Sequence, residues 1–226
     1  MESHPIFYSP SASVLKIVID RQVGAYGHTP LQKFLIVGNP DLGDSAYDLP
    51  FAEREAGSID REFEGSELLL RNEATESRVK EDIGKFNGVH FASHGIYDSA
   101  TPLFSSLKLT RDAANDGNLT ANEVFSLNLK ASLVMMSACQ TGLGKLTTGD
   151  EIIGLNRAFI YAGAPSIIST LWRVNDAASA MLVKRFYRNL NNNDIAESLR
   201  LAQMAVKEYY PHPAYWSGFG LTGNYK

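Results

Sequence analysis

Cysteine is almost absent. A single one, Cys139, stands among 226 residues, so no disulfide can close within the chain. An excess of either charge is missing as well: 21 Lys plus Arg face 25 Asp plus Glu, a net charge near -4. With no block of like charge, nothing implies a sequence-independent attraction to nucleic acid or to an anionic membrane. No apolar run reaches the ~20 residues needed to cross a bilayer, and no basic-then-apolar leader opens the chain. The expectation is a cytoplasmic protein with neither nucleic acid nor membrane as a direct partner. Repeats, low-complexity tracts and obvious linkers are lacking too. What is present is material for a core: 44% apolar residues and 10% aromatics, ample for one domain of generous size or two small ones.

Periodicity predicts strands alternating with helices. "KFLIVG" (33–38) is a short continuous apolar run closed by the turn formers "NPDLGD", the pattern of a strand buried on both faces. A helix is predicted over 49–63 and a strand over 66–72. Thr75 caps a helix in which Val79, Ile83 and Phe86 share one face. Strands follow at 89–94 and, more briefly, at 106–110; Thr120 and Glu123 are spaced as a capping box for a short helix. "ASLVMMSA" (131–138) is the strongest strand. Then come a helix over 149–163 stopped by Gly163, a strand over 166–172, helices near 176–190 and 194–210, and a last strand in "FGLTG". Such alternation predicts one α/β domain with a mostly parallel sheet and helices on both faces. Residues 1–30 fit the alternation least and read as a front edge joined to something longer.

In an open parallel sheet, reacting groups gather beyond the carboxyl ends of the strands. Two such ends carry reactive side chains: His94, followed by Gly95, and Cys139, followed by "QTGLGK". Neighbouring strands would bring them together across 45 positions of sequence. An imidazole beside a thiol takes its proton or stabilises the thiolate, giving a strong nucleophile near neutral pH. Free backbone N–H groups of Gly95 and Cys139 would serve a developing oxyanion. The plainer reading makes Cys139 a small buried hydrophobe and His94 structural. Two reactive types at two strand ends is what a site requires and packing does not.

Other chemistries fail on spacing. Counting back from "GK" at 144–145 puts Cys139 where a phosphate loop needs its first Gly, and Leu146 where it needs a hydroxyl. "GNPDLG" lacks the dinucleotide fingerprint. His90 and His94, placed on one strand, would stand about 13 Å apart at ~3.3 Å per residue, too far to share a metal ion. His90 is read as packing or as support for a neighbouring group.

The motifs "HFASHG", "SACQTGLGKLTTGDEIIGLNRAFIYAGAPSIISTLWRVND", "FYRNL" and "HPAYWSGFGLTG" resemble the CHAT domain, as do "YSPSASVL", "VGNPDLGD" and "LPFAEREA". That family is a caspase-like peptidase module related to separase and often attached to tetratricopeptide repeats. The resemblance covers nearly the whole chain. It implies the caspase-like (caspase–hemoglobinase) fold over 31–226, with 1–30 as the edge and connection to an upstream region. It implies a cysteine endopeptidase with His94 as base, Cys139 as nucleophile, and Gly95 and Cys139 N–H groups as the oxyanion hole. No metal or organic cofactor is implied. The expected partners are a protein substrate and a regulatory repeat region or activating protein. Asp176, just after "LW", matches the position that lines the pocket for the side chain before the cut, which would favour Arg or Lys. Asp176 or Asn175 could equally cap the helix that follows. Asp150 and Glu151 are a second choice for the pocket, being placed as helix-start acids commonly are. Two rivals stay open: a non-catalytic interaction module of the same fold, and a nucleotide-binding α/β domain.

Overall fold

The computed structural model describes residues 3–25, 31, 33–98, 100–137, 152–172 and 174–225, and for 21–25 and 152–153 the backbone alone. Along the chain the elements are α1 (Ala12–Ala25), β1 (Phe34–Pro40), α2 (Pro50–Asp60), β2 (Glu67–Arg71), α3 (Glu76–Asp82), β3 (Gly88–Ala92), β4 (Gly95–Ile96), β5 (Ser106–Lys108), β6 (Asn118–Thr120), α4 (Ala121–Val124), β7 (Leu133–Met136), α5 (Ile152–Ala162), β8 (Ser166–Thr170), α6 (Asp176–Leu190), α7 (Ile195–Tyr209) and β9 (Phe219–Gly223). The main sheet has the order β2-β1-β3-β7-β8-β9, and β4-β5-β6 form a small second sheet. The first five strands of the main sheet run parallel; β9 pairs antiparallel with β8 at the edge.

Residues alternate cleanly between two apolar layers, as a sheet covered on both faces requires. Leu35, Val37, Val89, Phe91, Val134, Met136 and Ile167 turn to one core. Phe34, Ile36, Leu133, Met135 and Ile168 turn to the other, where α2, α6 and α7 supply Ile59, Leu182, Phe186 and Leu199. Each side chain taken fully out of water this way contributes roughly 1.5–3 kcal/mol. Helix starts follow their capping letters: Thr75 accepts from the Arg78 N–H, and Asp194 accepts from the Glu197 N–H. Thr120 and Glu123 form the reciprocal capping box. Gly163, at φ 128°, ends α5 where an added Cβ would lie 2.5 Å from the Leu129 carbonyl oxygen.

Three features differ from the sequence expectation. The strand expected over 89–94 stops at Ala92, so His94 stands beyond the sheet and does not share a strand face with His90. The short β4 and β6 were not expected; they pair with β5. Residues 12–25 form a helix whose Val18 is buried in the first core, and Tyr8 bridges to Thr222 on β9.

The order β2-β1-β3 creates a switch point. From β1 the chain passes outward to β2, then back across β1 to β3. The loops leaving β1 and β3 therefore diverge, and a crevice opens between them at the carboxyl ends.

Candidate functional site

The crevice is built first by β1. Asn39, 3% exposed, adopts φ 46° and ends the regular ladder, with a bulge between Gly38 and Pro40. Its side chain accepts from the Leu49 N–H at 2.7 Å and donates to Glu53 at 2.9 Å, tying the loop to the start of α2. Within that loop a 3₁₀ turn, Ser45–Tyr47, is capped by Asp44, whose carboxylate accepts from the Ala46 N–H. The turn presents the Tyr47 carbonyl to the end of β3.

His94 meets that carbonyl. Its Nε2 lies 2.7 Å from the Tyr47 oxygen, which can only accept, so Nε2 carries the proton. The opposite nitrogen, Nδ1, is buried without a hydrogen-bond partner among the described residues. In the neutral ring Nδ1 is therefore the free base. The Tyr47 ring stands edge-on to the imidazole, centroids 6.1 Å apart, and His94 is 7% exposed. Lys108 donates its N–H to the His94 carbonyl, and Gly95 faces Leu107 in the antiparallel β4–β5 pair. That makes Gly95–Leu107 a non-hydrogen-bonded pair, so the Gly95 N–H turns away from β5.

His94 borders a cleft of about 90 Å³, lined also by Asp48, Phe51, Glu55, Ser93, Ser137, Asp176 and Ser179. Asp48 is engaged by Arg71 at 2.5 Å, and that hydrogen bond holds the guanidinium above its ordinary value. Asn175 accepts from the Ala177 and Ala178 N–H groups and so caps α6; Asp176, in the first turn, lines the cleft. Beneath the cleft Glu55, His90 and Tyr187 form a buried chain. Tyr187 Oη lies 3.0 Å from His90 Nδ1, and His90 Nε2 lies 3.0 Å from Glu55 Oε1. Burial, and secondly the Glu55 charge, push the Tyr187 phenol well above its ordinary value, so the phenol keeps its proton and donates it to Nδ1. His90 Nε2–H then donates to the carboxylate. On its other side His94 borders a depression lined by Leu42, Tyr47, Lys108 and Arg111.

Cys139 lies outside the described residues, as do Asp150 and Glu151. What is described is the approach to Cys139: β7 pairs with β3 in parallel, and the Ser137 N–H donates to the Phe91 carbonyl at 2.8 Å. Ser137, two positions before Cys139, lines the same cleft as His94. Sequence reading passed over Tyr47, Glu55 and Ser179. Tyr47 acts through its backbone, which has no letter. Glu55 did leave a signal: it falls in register with Ala52, Ala56 and Ile59, an acid on the apolar stripe of α2. Among the described residues no group of three His, Cys, Asp or Glu is placed to hold a metal, and no helix is long and apolar enough to cross a membrane.

The family model for the CHAT domain matches residues 1–224. Tetratricopeptide repeat protein 28 from Homo sapiens is 30% identical over 233 residues, covering 84% of this chain and 9% of that protein. The Mus musculus protein of the same name is 28% identical with the same coverage. The chain thus spans 9% of the length of these relatives. Among solved structures, separase in the Saccharomyces cerevisiae separase–securin complex superposes with a TM-score of 0.66 at 14% identity, over 98% of this chain and 14% of that one. The Arg-specific cysteine proteinase gingipain R superposes with a TM-score of 0.63 at 15% identity, over 96% of this chain and 52% of that one. At such identities the likeness speaks for the fold, which is the caspase-like α/β fold.

Proposed function

Because this chain belongs to the CHAT domain family, we propose that it is a cysteine endopeptidase domain in which His94 activates Cys139. The observation that carries the reading is the His94 ring itself: Nε2–H is committed to the Tyr47 carbonyl, which leaves Nδ1 unpartnered as the base. In this reading Nδ1 takes the Cys139 thiol proton, and the thiolate attacks the carbonyl carbon of the scissile peptide bond. Charge on the tetrahedral oxygen is met by the backbone N–H groups of Gly95 and Cys139. The imidazolium returns its proton to the leaving amine, and water then hydrolyses the thioester with His94 again as base. Asp176, and less directly Asp150, favour a basic side chain before the cut. Residues 1–30 serve as the edge and the connection to an upstream regulatory region; the tetratricopeptide name of the relatives supports repeats in that role.

The test is chemical. A peptide electrophile should label Cys139 in the full chain, and His94→Ala should slow labelling by at least about 10²-fold while leaving the melting temperature within a few degrees. Cys139→Ala should abolish peptide cleavage. Undiminished cleavage by Cys139→Ala would exclude the mechanism. Absence of labelling in the presence of a bound repeat region would instead favour the rival reading, an interaction module that keeps the fold.

A further inference from the structure

The cleft beside His94 holds more than a base and a carboxylate at its edge. Besides His94, three of its lining residues are polar and more than nine-tenths buried: Glu55 at 6% exposure, Ser93 at 1% and Ser179 at 5%. The Ser93 and Ser179 hydroxyl oxygens have no hydrogen-bond partner among the described residues. Buried polar groups are normally paired, because leaving one unpaired costs about 1–3 kcal/mol. Two orphan hydroxyls and a buried carboxylate around one cleft are the signature of a site whose partner is a ligand.

Charge narrows the ligand. Among the described residues the lining contains Asp48, Glu55 and Asp176 but no Lys or Arg, and Asp48 is already matched by Arg71. The ligand group is therefore a cation. Glu55 is held for it from behind: one oxygen accepts from His90, and Tyr187 fixes which way the imidazole donates. The carboxylate is thus oriented through one of its oxygens. Shape narrows the ligand further. At ~15 Å³ per water-sized position, about 90 Å³ holds roughly six such positions, the size of a guanidinium and its adjoining methylenes. A guanidinium offers five N–H donors in a rigid plane, able to reach a carboxylate and flanking hydroxyls together; an ammonium offers three from one point.

We infer that Glu55 is the inner specificity-determining carboxylate of this cleft, and that with Ser179 it selects arginine over lysine at the residue preceding the cut. Asp176 lies at the exposed mouth, on the first turn of α6, and Ser179 lies one turn deeper on the same helix. This inference rests on the peptidase reading above for its substrate, but the cation site itself does not depend on catalysis.

Two measurements keep those apart. The first uses three peptide electrophiles identical except for Arg, Lys or Leu at the reactive end, with labelling rates of Cys139 in the full chain. Glu55→Gln keeps the size and the acceptor for His90 while removing the charge; it should lower the Arg-to-Leu rate ratio by about tenfold or more. Ser179→Ala should move the Arg-to-Lys ratio toward Lys by severalfold. The second measures agmatine binding to the same proteins by calorimetry, with no electrophile present. Agmatine should bind the parent chain and bind Glu55→Gln at least about tenfold more weakly. If no electrophile labels Cys139 but agmatine binding still depends on Glu55, the peptidase reading falls and the cation site stands. An unchanged Arg-to-Leu ratio and unchanged agmatine affinity in a folded Glu55→Gln chain overturn the inference; should that variant fail to fold, an unchanged Arg-to-Lys ratio and agmatine affinity in Ser179→Ala do the same.

Discussion

At the scale of single residues, the orientation of His94 depends on a backbone carbonyl, and this separates two substitutions that look alike on paper. Tyr47→Phe keeps the carbonyl and the ring edge against the imidazole, and removes a phenol oxygen for which no contact with His94 is seen. It should change kcat/KM by less than about threefold. Asn39→Ala touches neither His94 nor the cleft, yet it removes the bonds to Leu49 and Glu53 that hold the Tyr47 loop to α2. It also places a Cβ residue with fewer polar alternatives at φ 46°. A stability loss of about 1–3 kcal/mol and a fall in kcat with little change in KM are expected, measured by urea unfolding and steady-state kinetics. This is also where the sequence could be read and where it could not. His94 could be picked out as a candidate because a reactive letter closed a predicted strand, and Asp176 because the family resemblance matched it to a pocket position. The carbonyl that orients His94 was hidden, since backbone groups carry no letter, and the buried chain beneath the cleft left a single mark, Glu55 on the apolar stripe of α2.

At the scale of elements, the small sheet is fastened to the large one by a charged clasp. Lys80 on α3 reaches Glu123 at 2.8 Å and Glu76 at 2.5 Å, and Asp112 accepts from the Ser77 N–H at 3.0 Å. Burial raises the Glu123 carboxyl, but hydrogen bonds from Lys80 and Thr120 outweigh it and bring the group from 4.5 down to about 2. The Ser77 and Ala114 N–H groups hold Asp112 at about 2 as well. Both values lie below those of the free groups, so their stabilisation is complete above about pH 4.5 and is lost as the pH falls toward 2. Glu123→Gln should cost about 0.5–1 kcal/mol at neutral pH, and the difference from the parent chain should vanish near pH 2 in thermal melts taken across that range. Because β4 carries Gly95 and β5 bonds to the His94 carbonyl, loosening the clasp should depress labelling of Cys139 before the main sheet melts. The long strands of that main sheet were legible as continuous apolar runs. β4 and β6 were not, because two or three residues give no period to read and their pairing depends on the partner strand β5.

At the scale of the whole molecule, two apolar layers share one sheet, and the edge of that sheet is closed by the front of the chain. The Tyr8 N–H donates to Leu221 at 2.7 Å and its carbonyl accepts from Gly223 at 2.8 Å, continuing the ladder past β9. Next to it α1 buries Val18 completely in the first core, with Val14 and Leu15 packed beside it. A boundary at residue 30 would therefore cut through contacts of the folded unit. Removing residues 1–25 should cost roughly 3 kcal/mol, the sum expected for one fully buried aliphatic side chain and two backbone hydrogen bonds. It would also uncover the edge of β9, whose free N–H and C=O groups invite pairing with another chain. The truncated chain should thus melt several degrees lower and show concentration-dependent self-association by light scattering, while the 226-residue chain does not. A truncated chain as stable and as monodisperse as the 226-residue one would instead make 1–30 a connection alone, and would move the start of the folded unit to β1.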